Sequence, residues 1–226
     1  MGTIGIEWVN NYHGRAADLK NNGNNAEGFY NTLQGVKRFQ FGNDLAWDQD
    51  FEESGTGSPT GGTDQLYADD VDICFFSGHG SMSGGFFGIA SHDDGSARPS
   101  ELRLGNRDCE WVIFDACRVL ARDGGGVFAR CEPAFAGLHY MLGFDTTCGD
   151  SGDRGRKFAD RLNWGWSVRD AWIGACTETE DSSTQLAYLR ADAAGTDTFN
   201  DHWHGKGHVS ADPSTPTIFF YMRTSC

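Results

Sequence analysis

The sequence lacks several features that would place it quickly. No apolar run approaches the roughly 18 residues of a membrane span. No basic region followed by a long apolar stretch opens the chain, and it holds no Asn-x-Ser/Thr sequon. We therefore expect no signal peptide, no membrane contact and a reducing cytoplasmic compartment. Positive charge is scarce, with 18 Lys and Arg against 32 Asp and Glu and a formal net charge of −14. No basic patch is available for phosphates, which argues against a nucleic-acid partner and against anionic lipid. The acidic balance is compatible with a cationic substrate. Seven cysteines are present, but the number is odd and no CxxC pair occurs. A chain of this length builds a core without bridges, so the cysteines read as free thiols rather than a disulfide framework.

What is present follows an α/β pattern. Short apolar runs at 4–9, 36–41, 71–77, 110–114, 136–144 and 218–222 predict strands, and segments 26–33, 155–162 and 167–175 have helical spacing. A Gly/Phe hairpin is predicted over 84–89, a polar loop over 91–99, and a short helix after Cys117 that stops at 124–126. Strands alternating with helices predict a mostly parallel sheet under helical layers. One domain over residues 1–226 is expected.

Two strand ends carry chemistry. The run Val71 to Ser77 leads into Gly78-His79-Gly80, and Glu110 to Phe114 leads into Asp115-Ala116-Cys117. Reactive groups in an open parallel sheet collect beyond the carboxyl ends of the strands. If these strands are neighbours, an imidazole and a thiol leave the same edge. A His beside a Cys can take its proton, and the thiolate is the nucleophile. A helix starting at Cys117 would lower the thiol pKa further. The backbone N–H groups of Gly80 and Cys117 could stabilise an oxyanion.

Ser77-Gly78-His79-Gly80 and Asp115-Ala116-Cys117, each after an apolar strand and in this order, resemble the caspase-like (clan CD) cysteine peptidases. Segments 136–144, 158–162 and 165–172 are similar to the closing part of the bacterial CHAT/clostripain-like branch. The stretch from Trp8 to Trp47 is similar to an uncharacterised bacterial family of that superfamily, a domain of unknown function. The resemblance implies a three-layer α/β sandwich of the caspase-hemoglobinase type, with helices on both faces of the sheet. It implies a peptidase acting on a peptide or protein, with His79 as acid and base, Cys117 as nucleophile and Gly80 and Cys117 as the oxyanion hole. Substrate-binding positions fall on Ser77, Asp115 and Asp145, and the two acids imply a preference for Arg or Lys at P1. One departure is that Arg118-Val119-Leu120 follows the Cys, where many relatives have a small residue and Gly. An acyl-transferring or cyclising enzyme on the same dyad, and a non-catalytic peptide-binding module, are the alternatives.

The remaining clusters are read more plainly. His202-Trp203-His204 with His208 has the look of a zinc set, but its Gly-rich surroundings predict a solvated or substrate-lining loop, with Trp203 against a groove and no metal. Asp48, Asp50, Glu52 and Glu53 could hold Ca²⁺, yet the spacing is not that of an EF-hand. A solvated acidic loop without a cofactor is expected there. Cys148 reads as a loop thiol near the site, and the other cysteines read as packing residues.

Overall fold

The computed structural model describes residues 1–56, 61–82, 95–123 and 126–226. The predicted hairpin and the first two glycines of 124–126 lie outside the described residues, as does the start of the predicted loop at 91–99. Seven strands form one sheet in the order β2-β1-β3-β4-β5-β6-β7. They are β1 (Thr3–Trp8), β2 (Val36–Gly42), β3 (Ile73–Ser77), β4 (Trp111–Asp115), β5 (Tyr140–Phe144), β6 (Gln185–Asp192) and β7 (Ile218–Ser225). Pairings from β2 to β5 are parallel, and β6 and β7 close the sheet antiparallel. β3 and β4 are neighbours, with Ser77 opposite Asp115.

Strand residues alternate between two cores, as a pleat buried on both sides requires. On one face Ile73, Phe75, Trp111, Ile113, Tyr140 and Leu142 meet the helices α1 (Asn22–Thr32), α3 (Arg154–Asn163) and α4 (Val168–Thr177). Phe29 stacks between Phe75 and Phe158 at ring separations of 4.8 and 5.7 Å. On the other face Cys74, Phe76, Val112, Phe114 and Met141 lie under loops, 3-10 turns and the short helix α2 (Val127–Cys131). Of the helices expected on both faces, the second face carries, among the described residues, only the five-residue α2 and 3-10 turns. The segment after Cys117 forms turns rather than the predicted helix, because Arg118 adopts φ 61°, a conformation that ends a right-handed helix. β6 was not predicted: Leu186-Ala187-Tyr188-Leu189-Arg190 is buried on both sides and has no period-two contrast. α1 begins four residues before the predicted 26–33, because Asn22 and Asn25 are buried and bonded rather than left as a polar turn.

Burial raises several acids. Glu7 is wholly buried, and burial with the nearby Asp50 and Asp48 carboxylates raises it well above the usual range. Burial pushes Asp64 up to about 8, Asp69 to about 7 and Glu110 to about 7. An acid whose folded pKa exceeds its unfolded value stabilises the fold below the unfolded pKa, and that contribution is lost as pH rises through the folded pKa. His139 has the same sign: burial opposes its charge, but Asp201 and Asp212 hold it up to about 9. The melting temperature is therefore expected to fall steadily between about pH 5.5 and 8.5. A flat or rising profile by calorimetry over that interval would contradict this account of the buried acids.

Candidate active site

Because β1, β3, β4 and β5 run parallel, their carboxyl ends share one edge of the sheet. A cleft of 230 Å³ opens there, lined among others by Asn22, His79, Asp115, Cys117, Cys148 and Asp150. The structure thus brings His79 and Cys117 to one opening from adjacent strands. His79 is fixed from two sides. Its backbone N–H donates to the Tyr12 hydroxyl at 2.8 Å, and its ring lies 4.7 Å from the Tyr12 ring. Its Nε2 is 2.7 Å from the Ala17 carbonyl oxygen. A carbonyl only accepts, so Nε2 carries the proton and Nδ1 is left as the basic nitrogen.

The Cys117 thiol is lowered to about 6. The largest cause is the Cys148 thiol, whose sulfur lies 3.6 Å away; burial opposes the shift; the Cys148 backbone N–H at 3.2 Å and the charge of His79 reinforce it. The same contact and burial drive Cys148 well up. A neighbouring thiol and amide therefore do what a helix dipole was expected to do. The Cys117 N–H donates to no acceptor among the described residues. Arg118 N–H donates to the Thr146 carbonyl at 3.0 Å, tying the residue after Cys117 to the loop that carries Cys148. Gly80 lies so close to Cys117 that a Cβ would overlap its carbonyl oxygen.

Beneath the thiol lies a buried polar network. Asp115 and Glu180 both pair with Arg154, which is almost wholly buried. Arg154 also donates to Thr179 Oγ1 at 3.0 Å, and Glu180 receives the Gly149 N–H at 2.9 Å. Asn25 donates to Asp115 and, at 3.1 Å, to Ser77 Oγ, while its own oxygen takes the Gly155 N–H at 2.6 Å. Ser77 is thus a buried strut rather than a substrate contact.

The chain belongs to the DUF6345 family. The family, described as a domain of unknown function, matches residues 6–224, from β1 into β7. No curated protein matches the chain. In this DUF6345 chain three further expected substrate positions, besides Ser77, need correction. Asp115 reaches the cleft wall, but its charge is taken by Arg154. Asp145 lies in a separate depression with Arg118 and Asp123, where it pairs with Arg223 at 2.5 Å and accepts the Arg122 N–H at 2.7 Å. Trp203 lines no groove. It is fully buried on the helical face, donates to the Gln34 carbonyl at 2.6 Å and fills the space beside Gly2 and Gly35. Cys148, Asp150 and Tyr12 carry roles that sequence reasoning missed or left aside. Asp150 is exposed at the cleft and accepts the Lys20 N–H at 2.8 Å.

All seven cysteines are free, as the odd count implied. The acidic segment is not solvated: Asp48, Asp50 and Glu52 are buried, with the Ser96 N–H on Asp48 at 2.8 Å and the Thr63 hydroxyl on Asp50 at 3.0 Å.

Iodoacetamide is expected to label Cys117 first, with a rate that inflects near the pKa of about 6. In Cys148→Ala the inflection should move up toward the ordinary thiol range; peptide mapping by mass spectrometry checks both. Arg154→Leu, which strands two buried acids, is expected to cost about 3–5 kcal/mol in denaturant unfolding. A loss below about 1 kcal/mol would show that the network carries little of the stability.

Proposed function

We propose that this chain is a cysteine endopeptidase with a caspase-like (clan CD) fold, working through His79 and Cys117. The observation that supports it best is a thiol lowered to about 6 in a cleft shared with an imidazole whose Nε2 is committed to the Ala17 carbonyl. The Cys117 thiolate attacks the scissile carbonyl carbon. The oxyanion that forms is met by the Cys117 N–H and by that of Gly80. Protonated His79 gives its Nδ1 proton to the leaving amine, and a thioester remains on Cys117. Water, deprotonated by Nδ1, then cleaves the thioester and restores the thiolate. Small-molecule pockets usually span about 300–1,000 Å³. A smaller cleft favours a substrate that inserts one side chain. Preference for Arg or Lys at P1 now rests on Asp150, since Asp115 and Asp145 are both spent on arginines.

The purified chain is expected to cleave an Arg-P1 reporter. His79→Ala should lower kcat/KM by at least about 10²-fold, and Cys117→Ala should abolish cleavage. Asp150→Asn should cost about tenfold on Arg reporters and little on an uncharged one. Intact Arg, Lys and Asp reporters after incubation with reduced protein would count against the peptidase reading. The 3.6 Å between the Cys117 and Cys148 sulfurs favours one second reading, thiol–disulfide exchange. Reduction of a small disulfide without any peptide cleavage would select it.

A further inference from the structure

The opposite edge of the sheet, where the parallel strands begin, holds a second cluster. Asp72 immediately precedes β3, and Glu110 immediately precedes β4. His204, from the loop after β6, reaches across both. Its Nε2 lies 2.6 Å from Asp72 Oδ1 and 3.6 Å from Glu110 Oε1. One ligand-type atom from each residue falls within 4.8 Å of the other two. We propose that Asp72, Glu110 and His204 form a binding site for a divalent cation of the zinc, cobalt or manganese class. This inference is independent of the peptidase reading.

Three features set the cluster apart from an ordinary ion pair. The first is an unmet donor set: one imidazole faces two carboxyl groups, and Glu110 Oε2 is buried with no hydrogen-bond partner among the described residues. Asp108 adds further negative potential beside Asp72. The second is preorganisation. The Thr3 N–H, at 2.6 Å, and the Thr3 hydroxyl both donate to Asp72 Oδ2, which leaves Oδ1 directed at His204. Outer hydrogen bonds of this kind commonly orient metal-binding carboxylates. The His204 ring is wedged between Trp111 and Trp203, each 5.5 Å away. The third is spacing. Ligands on a metal with bonds of about 2.0–2.1 Å stand roughly 3.3 Å apart in a tetrahedron, and the observed 2.6 and 3.6 Å bracket that value.

One nitrogen and two carboxylates suit borderline divalent ions more than thiophilic ones. The three side chains retain 12–26% exposure, so water can complete the coordination. The cation takes its place between the same atoms. Ligand atoms bind a cation only when unprotonated, so affinity rises with pH. The histidines His202, His204 and His208, expected in a solvated or substrate-lining loop without metal, separate in the fold. His204 finds its partners far away in sequence, His202 pairs in a backbone bridge with Ser167, and His208 is exposed.

Co²⁺ is the probe, because its spectrum separates nitrogen and oxygen ligation from ligation by thiols such as Cys117. The full chain, stripped with chelator, is titrated by calorimetry and absorbance and melted with and without metal. Expected are about one equivalent bound, d–d bands without a thiolate charge-transfer band, a higher melting temperature, and tighter binding at pH 8 than at pH 6. Glu110→Gln keeps the His204–Asp72 contact and the side-chain shape, and should weaken binding at least about tenfold, as should His204→Gln. Absence of binding, a thiolate band, or isotherms unchanged in both variants would overturn the site.

Discussion

The pairing of Asp115 with Arg154 is the contact on which the carboxyl edge of the sheet depends. It joins the last residue of β4 to the first turn of α3, and through Glu180 it reaches the loop that places Cys148 over Cys117. Asn25 extends the network to α1 and to the end of β3. Buried charges are costly unless every partner is in place, so the arrangement defines a single geometry for four separate elements. The Cys117 thiol sits two residues beyond one anchor of this network, and the His79 imidazole two residues beyond another.

The direction of the sheet separates two kinds of chemistry. Parallel strands gather thiol and imidazole at one edge, while the strand starts gather carboxylates and a second imidazole at the other. The hydrophobic layers between them, formed by Phe75, Phe76, Ile113 and Phe114 among others, keep the two groups of charges apart in a medium that water does not enter. Each edge can then hold its own ionisation state. A lowered Cys117 thiol at one end coexists with a raised Glu110 carboxyl at the other.

Much of this was legible in the sequence, because buried parallel strands are continuous apolar runs and the residues that follow them are fixed in position. The runs before His79 and Cys117 therefore predicted both the strands and their shared edge. Contacts between residues distant in sequence were not legible. Asp115 and Asp145 looked available because nothing nearby in sequence shows that Arg154 and Arg223 fold onto them. Trp203 looked like a groove residue because its Gly-rich neighbours resemble an exposed loop, yet Gly2 and Gly35 leave a slot that only a large ring fills. The acidic run from Asp48 looked solvated by composition, and only the fold shows it turned inward beside Glu7. β6 escaped notice because a strand covered on both faces loses the alternation that marks a half-buried one.

The backbone around Cys117 is held by neighbours on both sides. Gly80 lies against its carbonyl, and Arg118 is bonded to Thr146 despite a left-handed conformation that non-glycine residues rarely adopt. The backbone at Cys117 is therefore fixed by folding itself. The entropy of ordering it is lost once, when the chain folds, rather than each time the cleft is filled.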